Sequence, residues 1–236
     1  MQARIKEKQE VAKGTLLVTF DLLGEEVDFT PGQYFFVTLP DIGHQDEKGL
    51  RRHISVVTSP NEKGILGLAT RLRDSAFKRT LSELPVGAEV DVEPPKGNFA
   101  LPEDTARPLV LVAGGIGITV FRSMLLYIRE ERLPYRVTLV YTNRDSESTA
   151  FLDEVRELDR ELPNLRLILT MTQDANWDGE RRKVDAAFFE EYLGDDLNAF
   201  TFLVAGPPAM VEGVQGTLGE AGVKEENVLA GRFSGY

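Results

Sequence analysis

The 236-residue chain has no cysteine, two histidines and one tryptophan. Without cysteine it forms no disulfide, offers no thiol nucleophile or redox dithiol, and ligates no iron–sulfur cluster through thiolates. His44 and His53 are too few for a zinc site built on several histidines, so no metal site is expected. A Ser-His-Asp hydrolase would need one of the two, and no Gly-x-Ser-x-Gly turn accompanies them. Long apolar runs are missing too: none approaches the ~20 residues of a membrane-spanning helix. The opening MQARIKEKQEVAKG alternates charge with apolar residues and lacks the apolar centre of a secretory signal. The expectation is a cytoplasmic protein without a membrane span.

Net positive charge is also lacking. The balance of −11 argues against nucleic-acid binding. The deficit is uneven: residues 1–102 carry 13 basic and 15 acidic side chains, residues 103–236 carry 14 and 23. Within residues 51–79 the sign reverses, with Arg51, Arg52, Lys63, Arg71, Arg73, Lys78 and Arg79 against Glu62 and Asp74. Such a window is either a solvated face or an anion-facing one.

Two textures meet near PEDTARP, residues 102–108. Before it, short β-rich runs at 3–10, 14–21, 34–39, 51–58, 64–73 and 88–93 alternate with turn signals such as PG, NEKG and PVG. One helix is predicted at 75–84 with Ser75 as N-cap. That pattern predicts an antiparallel β-barrel over residues 1–103. After it, the apolar runs PLVLVA, RVTLVYT, LRLILTM and AFTFLVAG alternate with helically spaced segments. Residues 107–236 are therefore expected to form an α/β domain with a parallel sheet.

In open α/β sheets, ligands settle at the carboxyl ends of strands. The run at 108–113 ends in Gly114, Gly115 and Gly117, with a helix expected from near Thr119. Glycines there allow a tight turn and leave N–H groups open to an anion at the helix start. The spacing is Gly-Gly-x-Gly, neither the Gly-x-Gly-x-x-Gly fingerprint nor a P-loop. AGPPAM, 205–210, is a second strand-to-helix turn, with Pro207 and Pro208 suited to a first helical turn. Either turn alone is compatible with plain packing; together they suggest one cofactor lying across two strand ends. RRHISVVTSP, 51–60, is the third feature. On a strand, Arg52 and Ile54 share one face, His53 and Ser55 the other. Arg52 suits a phosphate and Ser55 a ring nitrogen, whereas His53 reads as structural.

These motifs, in this order, resemble the ferredoxin–NAD(P)H reductase superfamily of flavoproteins, and the resemblance spans essentially the whole chain. PGQY at 31–34 is similar to an early barrel turn of that family. Arg52-His53-Ile54-Ser55 is similar to its flavin motif Arg-x-Tyr-Ser/Thr, and TRLRDSAFKRTL to its flavin diphosphate segment. PPKGNF resembles the turn closing the barrel, GGIGIT and AGPPAM the two pyridine-nucleotide motifs, and FSGY at 233–236 an aromatic end. The resemblance implies that Arg52 pairs with the flavin phosphate, with His53 and Ile54 in the same motif, and that Ser55 faces flavin N5. It places Ala69, Thr70 and Arg71 along the flavin, and Asp74, Ser75 and Ala76 at its diphosphate. Gly114, Gly115, Gly117 and Thr119 would hold the diphosphate of the nicotinamide nucleotide, and Gly206, Pro207 and Met210 would lie beneath its ribose and nicotinamide. Phe233 or Tyr236 would cover the flavin. The chain departs from the family pattern at Ile54, where an aromatic usually stands, at Val120 in place of proline, and at Ala205 in place of cysteine.

The implied activity is that of an FAD-dependent NAD(P)H oxidoreductase, with FAD rather than FMN. Hydride passes from NADPH or NADH to flavin, and electrons then leave for a separate one-electron acceptor. The basic 51–79 window suits an acidic ferredoxin or flavodoxin. Two alternatives stand beside it: a reductase of small acceptors (free flavin, quinone, ferric complexes), and a nucleotide-binding electron-transfer subunit without independent turnover. Asn143-Arg144-Asp145 leaves the coenzyme open, since Arg144 suits a 2′-phosphate and Asp145 a free 2′-hydroxyl.

Overall fold

The computed structural model describes residues 1–232, which fall into two compact units. The first comprises residues 1–101 with 119–130; the second comprises 102–118 and the described residues from 131 onward.

The first unit is built on six antiparallel strands: β1 Gln2–Ala12, β2 Thr15–Asp21, β3 Tyr34–Thr38, β4 Arg51–Ser55, β5 Ile65–Arg71 and β6 Glu89–Val92. Their order is β4-β3-β6-β1-β2-β5. Gly14, at φ +66°, lets the chain reverse between β1 and β2 within two residues. Alternation places Phe35 and Val37 of β3 and Val18 and Phe20 of β2 in the core. Beyond β4 the chain swings to the far edge of the sheet: Val57 N–H donates to the Gly67 carbonyl at 2.9 Å, and Gly67 N–H to Thr58 Oγ1 at 3.2 Å. The two edges are thereby joined and the sheet curls into a barrel. Helix α1, Ala76–Glu83, inserts Phe77 and Leu81 into the core, and Ser75 Oγ caps it by accepting from Lys78 N–H. The PGQY and PPKGNF turns are mated: Tyr34 and Lys96 exchange backbone hydrogen bonds at 3.0 and 2.8 Å. A methyl group on Gly32, at φ +106°, would lie 2.1 Å from the Phe99 carbonyl oxygen.

Helix α2, Ile118–Glu130, packs with this unit from Thr119 onward, although it lies in the later half of the sequence. Ser123 Oγ donates to the Thr58 carbonyl at 2.6 Å, and Arg122 donates to the Val57 carbonyl at 2.7 Å. Ser59 donates its hydroxyl to Glu130. Buried carbonyls just past β4 thus find their partners on α2, as buried polar groups must.

The second unit has five parallel strands: β7 Leu109–Gly114, β8 Val137–Asn143, β9 Leu165–Met171, β10 Thr201–Gly206 and β11 Val228–Arg232. The order is β11-β10-β7-β8-β9. Every residue of β7, LVLVAG, is buried and none carries a polar side chain, as expected of a central parallel strand covered by helices. The helices are α3 Leu152–Glu161, α4 Ala186–Leu193 and α5 Pro208–Glu220. Asp185 caps α4 by accepting from Phe188 N–H at 2.8 Å, and Phe188 and Phe189 enter the core. No helix among the described residues is long and apolar enough to cross a membrane.

The free edge of β9 is covered by residues 180–182: Met171 N–H donates to the Glu180 carbonyl at 2.9 Å, and Thr170 Oγ1 donates to the Arg182 carbonyl at 2.5 Å. Glu180 accepts from the Arg182 guanidinium at 2.5 Å, from the Arg181 and Arg182 N–H groups and from Tyr192 OH. These donors, Arg182 first, hold its carboxyl down at about 2. A carboxylate depressed in the folded state contributes stability that is complete above its unfolded pKa and fades as pH falls through the folded value. Glu180→Gln is therefore expected to lower unfolding stability by about 1–2 kcal/mol at neutral pH. The deficit should shrink as pH falls from about 4.5 toward 2. Thermal unfolding of both proteins across that range checks it.

Candidate functional site

Two clusters of sequence-predicted residues form, one in each unit. In the first, Arg52 of β4, the start of α1 and the β3–β4 loop converge. Arg52 Nη1 donates to the carbonyls of Lys48, Gly49 and Arg51 at 2.7, 2.9 and 2.8 Å. Its Nη2 is buried without a hydrogen-bond partner among the described residues. The guanidinium stands 5.5 Å over the Phe77 ring, which ties it to α1. Lys78 is 8% exposed, and its ammonium is held below the usual lysine range by burial first, then by repulsion from Arg73, Arg52 and Lys48. Four cations thus converge around one helix N-terminus, a setting suited to an anion. Ala76 donates its N–H to Asp46 Oδ2 at 2.7 Å, and Asp74 pairs with Arg79 at 3.5 Å on the surface.

The other residues of this cluster are placed as follows. Ser55 is buried, and Ile54 is half-buried against the barrel core. His53 lies on the opposite strand face, packed between the rings of Tyr34 and Phe36 at 5.5 and 5.6 Å. Ala69, Thr70 and Arg71 lie on β5 in register with Leu17, Leu16 and Thr15.

In the second unit, the chain runs β7, β8, β9 outward, then returns to place β10 on the other side of β7. The sheet's switch point therefore lies between the ends of β7 and β10, where open α/β sheets bind ligands. Both turns identified in the sequence stand there. Their glycines answer first to each other. A methyl group on Gly117 would lie 2.3 Å from the Ala205 carbonyl oxygen and 2.8 Å from Gly206 Cα. One on Gly114 would lie 2.9 Å from Met210 Sδ and 3.2 Å from Pro207 Cδ, and one on Gly206 would lie 3.0 Å from Gly114 Cα. Gly115 takes φ +52°, where β-carbons are strained. Close packing of two turns thus explains the glycines before any ligand is considered. A short 3₁₀ turn, Gly115–Gly117, precedes α2, which begins at Ile118; Thr119 is buried in its first turn. Pro207 is the N-cap of α5 and Pro208 its first residue.

At the end of β8, Arg144 is exposed, while Asp145 Oδ1 accepts from Ser148 N–H at 2.8 Å. Asn143 was not singled out from the sequence. It is 6% exposed, and both polar atoms of its amide lack partners among the described residues. A polar residue closing an apolar strand one position past Thr142, the partner of Gly114, was the available signal. Lys78 and Asp46 were missed as well. Phe233 and Tyr236 lie outside the described residues. Among the described residues, no group of three or more His, Asp or Glu side chains could hold a metal ion.

Comparison with known proteins assigns a domain family to each half of the chain. Residues 2–101 match the oxidoreductase FAD-binding domain, and residues 111–216 the oxidoreductase NAD-binding domain. The chain belongs to the oxidoreductases that join these two domains, with the ferredoxin reductase-like fold. It is 29% identical over 211 residues to the sulfhydrogenase 1 gamma subunit of Pyrococcus furiosus, covering 88% of this chain and 69% of that protein. It is 26% identical over 215 residues to reductase component 2 of terephthalate 1,2-dioxygenase from Comamonas, covering 90% and 61%. Among solved structures, the FAD/NAD-binding domain of a nitric oxide dioxygenase from Vibrio cholerae superposes with a TM-score of 0.86 at 19% identity, covering 98% of each chain. Phthalate dioxygenase reductase superposes with a TM-score of 0.77 at 24% identity, covering 98% of this chain and 67% of that one.

The residues present fit the two cofactors. Arg52 Nη2, buried without a hydrogen bond, and its neighbouring cations match an anionic diphosphate. The paired glycine turns at the switch point and the unpartnered Asn143 amide match a nucleotide.

Proposed function

We propose that the chain is the reductase module of an electron-transfer system, taking hydride from NADPH or NADH onto FAD and delivering electrons singly to a separate protein acceptor. Residues 1–103 hold the flavin and residues 107–236 the nicotinamide nucleotide. The observation that carries this reading is the pair of strand-end turns meeting at the switch point in a chain whose other unit gathers four cations at one helix start. When bound, the flavin supplies the conversion of an electron pair into single electrons. Arg52 and the α1 N-terminus would grip its diphosphate, Ser55 would orient N5, and Ala69 to Arg71 would flank it. Gly114 to Thr119 take the coenzyme diphosphate, with Gly206, Pro207 and Met210 supporting its nicotinamide side. Asp145 already accepts from Ser148, which leaves exposed Arg144 as the side chain of that turn open to the coenzyme 2′-substituent.

The acceptor assignment draws on the relatives' names. One is a subunit of a sulfhydrogenase and another the reductase component of a dioxygenase. The chain spans about three-fifths to seven-tenths of these proteins, and it has no cysteine with which to ligate a cluster. Charge alone is a weaker guide than the sequence implied. Within residues 51–79, Arg51 pairs with Glu93, Lys63 with Asp28, Arg79 with Asp74 and Arg52 with Asp46, so much of the basic excess is neutralised locally. The subunit name favours a second reading, an electron-transfer subunit that turns over only within a larger assembly.

Steady-state assays with both coenzymes separate these readings. Reduction of a ferredoxin or flavodoxin is expected, slowing as salt screens the encounter. Turnover with free flavin, quinone or ferric complexes but with no one-electron protein would replace it with a small-acceptor reductase.

A further inference from the structure

The β3–β4 loop, DIGHQDEKGL at 41–50, places a carboxylate at the N-terminus of α1. Asp46 Oδ2 accepts from Ala76 N–H at 2.7 Å, while Oδ1 accepts from Lys48 N–H at 2.9 Å and lies 3.8 Å from Arg52 Nη2. Ala76 is the first residue of α1, and its N–H has no partner within the helix. A phosphate oxygen approaching this terminus would seek the same N–H and the same guanidinium. We propose that Asp46 is a tethered anion occupying the flavin diphosphate cradle, and that the 41–50 loop is a strap that FAD must displace to bind. This inference rests on the reading that the α1 N-terminus and Arg52 receive the diphosphate.

Three further observations support it. The strap is tied to both ends of the same helix: His44 Nε2 lies 2.8 Å from Oε2 of Glu83, the last residue of α1. It keeps its own shape through Asp41, which accepts from Gly43 N–H at 2.8 Å and from Gln45 Nε2 at 3.1 Å. The same Arg52 whose Nη2 faces Asp46 grips the strap backbone through the carbonyls of Lys48 and Gly49. Second, charge is not balanced with the strap in place. Arg73, Arg52 and Lys48 all act on Lys78, whose ammonium is held below its usual range by burial first and then by these cations, even with the Asp46 carboxylate in place. A diphosphate carries more negative charge than one carboxylate and matches this excess better. Third, two anions cannot share one N–H and one guanidinium without strong repulsion. Flavin entry therefore requires Asp46 to leave.

The consequence is that Asp46 weakens flavin binding. FAD titration of the apoprotein, followed by flavin fluorescence, tests it on Asp46→Asn, His44→Ala and Arg52→Gln beside the parent. Asp46→Asn retains an oxygen for Ala76 N–H but loses the charge, and it is expected to bind FAD about 10-fold more tightly. His44→Ala leaves the cradle intact and loosens the strap, and a smaller tightening, about 3-fold, is expected. Unchanged or weaker FAD binding by Asp46→Asn, with Arg52→Gln weakened, overturns the strap while leaving the cradle in place. Arg52→Gln binding FAD as well as the parent overturns both. If Asp46→Asn does not fold, His44→Ala decides: tighter binding supports the strap, and unchanged or weaker binding rejects it.

Discussion

Gly117→Ala is expected to raise KM for the nicotinamide coenzyme by one to two orders of magnitude while leaving bound flavin at the parent level. The added methyl would stand 2.3 Å from the Ala205 carbonyl oxygen, 2.5 Å from its carbon and 2.8 Å from Gly206 Cα. All three are backbone atoms at the end of a strand paired on both sides, β10 between β7 and β11. No rotamer change relieves that contact; the two turns must part. Overpacking of this kind costs about 1–3 kcal/mol, and separating Gly206 from Gly114 distorts both turns assigned to the nucleotide. Each 1.4 kcal/mol of lost binding is about tenfold, hence the expected range. Gly213 is the natural control. It lies within α5 with nothing near the position of a β-carbon, so Gly213→Ala should stabilise the protein by about 0.5–1 kcal/mol without changing KM. Coenzyme kinetics, flavin content and thermal unfolding of the two variants together separate a packing role from general fragility. A Gly117→Ala protein with parental KM would show that the turns tolerate separation.

Arg52→Gln is the second large effect. It removes one of the three cations that act on Lys78 at the start of α1, a guanidinium whose Nη2 is buried with no hydrogen-bond acceptor. Hydrogen bonds to charged groups are worth about 1.5–3 kcal/mol each, so FAD affinity should fall by roughly 10- to 100-fold. The effect should weaken in high salt less than a surface pair would, because the Arg52 side chain is 16% exposed. Equilibrium dialysis with FAD measures it. Coenzyme binding to the second unit should be unaffected, which distinguishes a lost phosphate contact from general unfolding.

Much of the fold follows from local pattern. The six strands of the barrel and four strands of the parallel sheet announce themselves as β-rich runs between turn residues, and α1 begins where Ser75 predicts. Strand β11 was harder to read: VLAGR is short, contains a glycine, and gains its identity from pairing with β10. The helical spacing of TAFLDEVRELDRE begins at Thr149, but α3 starts at Leu152. Phe151 takes φ +57°, and the Ala150 carbonyl accepts from Tyr141 OH at 3.0 Å, so tertiary contact overrides helical spacing there. The candidate site was legible as motifs but not as contacts. That Gly117 exists to meet Ala205 depends on strand order, which sets residues 88 positions apart against each other. Asp46 lies in a polar loop 30 positions before Ala76, and no periodicity links them. The membership of α2 in the first unit depends on Ser123 and Arg122 reaching the carbonyls of Thr58 and Val57. A serine and an arginine on a helix carry no such instruction by themselves.

Anaerobic mixing of the flavin-loaded protein with NADH or NADPH, followed by the visible flavin absorbance, shows whether hydride passes from coenzyme to flavin. One coenzyme is expected to bleach the flavin fully at one equivalent, and Gly117→Ala to require far more coenzyme for the same bleaching rate. A protein that holds its flavin firmly yet leaves it oxidised with excess of either coenzyme would contradict it.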